Sequence, residues 1–375
     1  MGVVGLGAVA QAVHLPLLAK HPGRFRISAC CDVSPATRDA VAARYGVPAE
    51  RRFSTAGELF AAGGLDAVAI LTTGSHARLA AAAAGASLAV FCEKPLAYSV
   101  GEVDELAAVD PALQLGYMKL YDPAVERATA VLAGRPAARS VEVTVLHPPS
   151  APQLAHAGLF PPAADVTADA LAALVADEAA ALERALGDAP PWLAEVYAEV
   201  ILGSVVHELA VIRALVGDGL AIDDADVWPE EAIDGSVSLA GRLPDGARVS
   251  IRWHYLEHYP AYREEVRVHD ERGTVELAFP APYLLHAPTV LTVVDADEEA
   301  ERSTVTRSTV EAFERQWLAF EALVRDGEPP RAGLDEGRED VLVCQGAARA
   351  LAARHDVELG GEAAAARREP AQPVS

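Results

Sequence analysis

The chain has 375 residues and a formal charge of −23, which argues against a nucleic-acid partner held through a general basic surface. No apolar run nears the roughly 20 residues that span a bilayer, and no basic segment leads into an apolar one as in a secretory leader. The four cysteines, Cys30, Cys31, Cys92 and Cys344, lack metal-ligand spacing, so reduced, buried thiols in a cytoplasmic protein are expected, with no metal and no membrane contact.

Gly2 to Leu6 reads as a short apolar strand, and Gly5-Leu6-Gly7-Ala8-Val9-Ala10 follows at once. This is the G-x-G-x-x-G/A pattern, in which Gly5 permits the tight turn and Gly7 lets the backbone approach a pyrophosphate. Ala8 and Val9 open a helix that runs to Lys20, its N-terminal amides facing the phosphates. Phe25 to Cys31 is a second apolar strand ending in Asp32, about 20 residues beyond the loop as the fingerprint expects. A carboxylate there accepts hydrogen bonds from ribose hydroxyls and repels a 2′-phosphate, and no arginine follows directly. The expected cofactor is therefore NAD, with NADP less favoured. The alternative is that Asp32 only caps the helix near Ala36 to Tyr45.

Helix and strand go on alternating, which predicts a parallel, doubly wound sheet. Ser54 is expected to cap a helix over Ala56 to Ala62, and Ala67 to Thr72 is a third strand. Thr72, Thr73 and His76 stand in a loop at its carboxyl end, where His76 lines the cofactor's ribose or lies solvated at the surface. After the helix Ala77 to Ala84 comes a buried strand, Ala86 to Cys92, ending in Glu93-Lys94-Pro95. A lysine at the carboxyl end of such a strand sits where open α/β sheets bind ligands. Partial desolvation lowers its pKa and suits it to proton transfer. Alone, the same lysine could simply close a hydrophobic run.

Gly5-Leu6-Gly7, Asp32, Thr72-Thr73-Gly74-Ser75-His76, Glu93-Lys94-Pro95 and Gly116-Tyr117-Met118-Lys119-Leu120-Tyr121-Asp122-Pro123 resemble, in order and near spacing, the Gfo/Idh/MocA oxidoreductases, the glucose–fructose oxidoreductase and inositol dehydrogenase family. The resemblance implies an α/β chain with an N-terminal Rossmann dinucleotide-binding domain over 1–120. It also implies an α+β C-terminal domain over 121–358 with an open, mostly antiparallel sheet. The nicotinamide ring would lie near Glu93 and Lys94, and the substrate would be a small molecule of the sugar or cyclitol class. Lys119 and Tyr121 would enter the cleft as substrate ligands, although Tyr121 could instead pack at the domain junction. Family members usually bury a sheet face against another subunit, so a homodimer or homotetramer is expected.

The second half departs from that family. Aligning Arg213-Ala214-Leu215-Val216-Gly217 with the family's helix end puts His207 on its usual histidine. The usual aspartate positions then fall on Gly203 and Ala210. His207 remains a candidate proton relay and substrate ligand, since neutral imidazole both donates and accepts; it could also be a core histidine. Glu208 is expected to be solvated or ion-paired. Thr167 to Leu186, within a helical insertion around 165–200, is expected to pack on the substrate side of the second domain. Trp253 to Tyr259 could line a substrate pocket or an oligomer interface. From 359 onward the chain is expected to be disordered. The leading expectation is NAD-linked hydride transfer with Lys94 as acid/base; the rivals are a redox-assisted reaction and a non-catalytic NAD-binding protein.

Overall fold

The computed structural model describes residues 1–161, 163–229, 235–297 and 299–365. The N-terminal part is a six-stranded parallel sheet in the order β3-β2-β1-β4-β5-β6, built from β1 (Gly2–Val4), β2 (Ala29–Cys31), β3 (Arg52–Phe53), β4 (Ala67–Ile70), β5 (Ala89–Cys92) and β6 (Leu113–Leu115). Helices α1 (Leu15–Lys20), α2 (Pro35–Arg44), α3 (Ala56–Ala61), α4 (Ala77–Gly85) and α5 (Val100–Ala107) cover it. A π-helical stretch, Ala10–His14, leads into α1. Strands β1, β4 and β5 are buried almost throughout, as a sheet covered on both faces requires. The strand order reverses between β1 and β4, so the glycine loop after β1 and the Thr72–His76 loop after β4 open onto one crevice. Lys94 follows the next strand over.

The second part is an eight-stranded sheet in the order β14-β13-β12-β11-β7-β10-β9-β8. Its strands are β7 (Ser140–His147), β8 (Ala221–Trp228), β9 (Ser236–Arg242), β10 (Arg248–Tyr255), β11 (Arg263–Asp270), β12 (Gly273–Phe279), β13 (Val290–Asp297) and β14 (Ala300–Arg307). Only the β7–β10 pairing is parallel. The remaining helices are α6 (Pro123–Leu132), α7 (Ser150–Leu154), α8 (Ala168–Leu186), α9 (Pro191–Glu195), α10 (Val206–Val216), α11 (Ala312–Asp326), α12 (Leu334–Arg354) and α13 (Gly361–Ala365), of which α11 packs on the first sheet through Phe313, Trp317 and Phe320. Inward residues of β7 and β9–β12, such as Val143, Leu239, Ile251, Val266 and Leu277, pack under α9, α10, α12 and the Val196–Val205 π-helix in one core. No helix among the described residues is long and apolar enough to cross a membrane.

Several local expectations change. Thr55, not Ser54, caps α3, in a reciprocal capping box with Glu58, because only Thr55 stands three residues before that carboxylate. Strands β8, β13 and β14 escape the sequence pattern: β14 is exposed along most of its length, and β8 carries a bulge between Ile222 and Asp224. An edge strand with little buried face has no period-2 signal to read.

The expected disordered tail is corrected for 361–365. Ala363 is fully buried, and Glu362 accepts from the amides of Val100 (2.7 Å) and Gly101 (3.0 Å) at the start of α5. The tail can cross the end of α8 because Gly361 takes φ +58° and sits where a Cβ would lie 2.6 Å from the Arg184 carbonyl. One acidic anchor in an alanine-rich segment leaves composition unchanged, so composition could not show it. Positions 366–375 lie outside the described residues. Loss of two charge-assisted bonds to partly buried amides costs about 1–3 kcal/mol, so Glu362→Ala should lower the urea midpoint clearly and Glu362→Gln less. An unchanged midpoint in Glu362→Ala would mean that the tail does not dock.

Candidate active site

The glycine loop has the form a dinucleotide requires. Gly5, at φ +88°, turns so tightly that a Cβ would lie 2.8 Å from the Leu71 and Thr72 backbone, whereas a Cβ on Gly7 would meet nothing. Gly7 and Ala8 are exposed and Val9 is half-buried, leaving open space above the amides. Asp32 accepts from the Leu6 amide at 2.9 Å through one oxygen and from the Ser34 amide at 2.9 Å through the other. Each oxygen keeps a lone pair for a ribose hydroxyl. Ser34, rather than Asp32, caps α2, so the capping alternative falls away. The Thr72 hydroxyl is buried without a partner and Thr73 is exposed. These residues fit a dinucleotide.

His76 is fully buried, which corrects the solvated alternative. Nδ1 lies 2.6 Å from the Pro95 carbonyl oxygen and Nε2 2.9 Å from that of Thr72. With both ring nitrogens facing carbonyls, the ring ties the β4 loop to the Lys94-Pro95 turn and has no nitrogen left for a ribose. Glu93 is also buried and accepts from His14 Nε2 at 3.0 Å. Burial pushes its carboxyl up, but the His14 bond and the charges of His14, Lys94 and His76 hold it below the usual carboxylate value.

Lys94 Nζ donates to the carbonyl of Gly203. Gly203 lies in the Val196–Val205 π-helix, a geometry that occurs frequently at functional sites. A Cβ at Gly203 would sit 3.1 Å from the Ala198 carbonyl oxygen. Where the resemblance expects an aspartate, the lysine thus meets a backbone carbonyl. Burial lowers the Lys94 pKa, and the Lys119 charge adds to this, against the pull of Glu93 and Glu208. His207, four residues beyond Gly203, packs edge-on against Tyr117, with ring centroids 6.1 Å apart. Its Nδ1 is buried and unpartnered. Burial, then the charges of Lys94 and Lys119, hold its pKa well below the usual imidazole value, so the ring is neutral at pH 7. Glu199 is exposed near Glu178, Glu195 and Lys94.

Lys119 is corrected from a free substrate ligand to the centre of a buried ion cluster. Its Nζ donates to Glu208 Oε1 at 2.9 Å and to both Glu264 oxygens at 2.6 and 2.7 Å. The Tyr262 hydroxyl adds a bond to Glu264 at 2.7 Å. Glu208 is therefore ion-paired and not solvated: only 1% of it is exposed. Tyr121 takes the junction alternative, its ring buried beneath Arg331 and its hydroxyl accepting from the Arg331 amide at 3.3 Å. The acidic pair was legible in principle. Glu264 is in phase with buried Val266 and Val268 on β11, and Glu208 with Val211, Ile212 and Leu215 on α10. Beyond the cluster, His147 and Trp253 stack at 5.4 Å, and Trp253 Nε1 donates to Ser204 Oγ at 2.9 Å on the π-helix. Trp253 thus lies in the core beneath the π-helix, while His258 is largely exposed in a turn.

The Thr167 to Leu186 stretch forms α8, capped by Thr167; its C-terminal Ala185 and Leu186 enter the core of the second domain, and its middle reaches the Rossmann domain. Asp177 pairs with Arg78, and Glu178 accepts from the Tyr98 hydroxyl at 3.0 Å. Its N-terminal two-thirds is otherwise exposed.

The fold and this constellation define a dinucleotide-binding protein with a lysine–histidine pair at the crevice. Residues 1–118 match the oxidoreductase family with the NAD-binding Rossmann fold, GFO_IDH_MocA. Inositol 2-dehydrogenase of Ralstonia nicotianae is 31% identical over 128 residues, 32% of this chain and 37% of that protein. The chain spans between 29% and 43% of the length of the first curated relatives it matches. Two solved structures share the whole fold. Scyllo-inositol dehydrogenase from Lactobacillus casei with bound NAD(H) and scyllo-inositol has a TM-score of 0.67 at 18% identity, covering 94% of this chain and 96% of that one. A 3-ketoreductase from Actinomadura kijaniata in complex with TDP-benzene and NADP has 0.69 at 16%, covering 93% and 96%.

Two carboxylates and one ammonium share the buried cluster, and burial favours uptake of one proton. Burial first, and then the Glu264 charge, push the Glu208 carboxyl up to about 7 despite Lys119. A raised pKa in the folded state gives stability that is full below the unfolded value, near 4.5, and is lost as pH rises through about 7. Wild type should therefore lose stability relative to Glu208→Gln across that window, by no more than about 1.4 kcal/mol per pH unit. Urea unfolding at a series of pH values measures this; a pH-independent difference would contradict it.

Proposed function

We propose that the protein is an NAD-dependent dehydrogenase or reductase acting on a carbinol or ketone carbon of a sugar, a cyclitol or a related small molecule. The observation that carries this is Lys94, held at the end of β5 beside the dinucleotide crevice with its amine on the π-helix and neutral His207 four residues on. The names of the inositol dehydrogenase relatives support the substrate class. Asp32, with one oxygen on the glycine loop's Leu6 amide, the other on the Ser34 amide and no arginine directly after it, supports NAD.

Gly5, Gly7, Ala8 and Val9 would hold the pyrophosphate, Asp32 the adenosine ribose, and Thr72, Thr73 and Glu93 the nicotinamide side. When bound, the nicotinamide supplies the hydride acceptor or donor. Lys94 carries the proton: with a lowered pKa its amine takes the substrate hydroxyl proton in oxidation and returns it in reduction. His207, uncharged, can accept that proton or hydrogen-bond the substrate oxygen. Within the Lys119–Glu208–Glu264 cluster, the Lys119 charge favours neutral His207, while Glu208 draws the Lys94 pKa back up against burial.

A panel of inositols, free sugars and nucleotide sugars, assayed with NAD by absorbance of NADH, tests the substrate class. For an accepted substrate, Lys94→Met should lower kcat by roughly 10²–10⁴, the usual worth of a positioned acid or base. NADH affinity should stay within a few-fold. Intact turnover in Lys94→Met would make the lysine structural and remove the mechanism.

A further inference from the structure

The segment leaving β7 crosses from the second domain to the adenosine end of the crevice. The Phe160 amide donates to Gln11 Oε1 at 2.9 Å, and Arg44 lies 4.0 Å above the Phe160 ring while donating to the Gly158 carbonyl at 3.3 Å. Asp165 ends the crossing at the N-terminus of α2. There it accepts from the Ser34 hydroxyl at 2.5 Å and from the Ala36 amide at 2.7 Å. Asp32 accepts from the amide of the same serine at 2.9 Å. Two carboxylates from different domains thus flank Ser34.

This corner has the chemistry of a phosphate site: a helix N-terminal amide, a hydroxyl and, one turn into α2, the guanidinium of Arg38. A 2′-phosphate on a ribose bound at Asp32 would need those donors. In this chain they are already taken. Asp165 holds Ser34 and Ala36, and Arg38 is turned to Ser54 Oγ at 2.8 Å and Asp39 at 3.6 Å. The Ser34 and Ala36 bonds hold the Asp165 carboxyl below its usual range, so it is an anion at neutral pH.

We propose that Asp165 is a specificity-determining residue, an internal anion supplied by the second domain that fills the corner a 2′-phosphate would occupy and so selects NAD(H) over NADP(H). The inference rests on the dinucleotide reading above and assigns the discrimination to two carboxylates instead of one. A residue that only capped α2 would change stability without changing the choice between the two cofactors.

Calorimetric titration of the full chain, as wild type, Asp165→Asn and Asp165→Ser, separates these. The ligands are NADH, NADPH, ADP and 2′,5′-ADP; the last two probe the adenosine corner without the nicotinamide or turnover. Both variants should bind NADPH and 2′,5′-ADP about tenfold more tightly than wild type, the effect of removing one like charge from a partly solvated site. NADH and ADP should stay within about threefold, which also reports that the corner remains folded. Unchanged NADPH and 2′,5′-ADP affinities, with NADH still bound, would overturn the assignment and leave the dinucleotide site standing. Loss of all four ligands in both variants would make Asp165 a structural residue and overturn it as well. Failure of wild type to bind NADH and ADP would remove the dinucleotide reading itself, and this inference with it.

Discussion

The contact between the Lys94 ammonium and the Gly203 carbonyl joins the two domains at the point where chemistry is proposed. A lysine at the end of a buried strand needs an acceptor, and the π-helical stretch supplies one from its backbone. That choice constrains the neighbours. The close approach of the Ala198 carbonyl leaves little room for a side chain at position 203, and the same stretch carries His207 to the lysine's side of the crevice. With no carboxylate bonded to the lysine, burial dominates its pKa. A lysine whose pKa burial lowers, next to an uncharged imidazole, is a pair that can pass a proton without a carboxylate between them.

Behind the pair, the second domain offers a compensating cluster. Lys119 sits between Glu208 and Glu264, and Tyr262 completes the acceptor side of Glu264. Buried ions are costly unless paired and hydrogen-bonded, and here all but one oxygen finds a partner: Glu208 Oε2 has none. That orphan atom fits a cluster which holds one proton near neutral pH. The positive field of Lys119 also reaches Lys94 and His207 and lowers both. The cluster thus tunes the pair without touching the reacting atoms.

The N-terminal architecture was legible because it is written in local terms: glycines that force a turn, apolar runs at strand spacing, and Asp32 and Lys94 at strand ends. The reading weakened wherever a residue's role depends on a distant partner. Tyr121 and Lys119 follow β6 as expected, yet Arg331 takes the first into the junction and Glu264 takes the second into an ion cluster. Helix α8 has a clear apolar period, yet only its C-terminal Ala185 and Leu186 enter the core, while its middle makes polar pairs to Arg78 and Tyr98. The π-helix was invisible, since no sequence period distinguishes it from an α-helix over one or two turns, and it changes which residues share a face with His207. Asp165 stands in a Pro- and Ala-rich loop where nothing local marks it.

The central claim is that the nicotinamide end of a bound cofactor lies against Lys94 and His207. A crystal structure of the complex with NADH measures this directly. The account predicts the pyrophosphate over Gly5–Gly7, the adenosine ribose on Asp32, and the nicotinamide ring in contact with Lys94 on the side facing His207. A ring placed away from Lys94, or a cofactor bound outside the glycine loop, would contradict it.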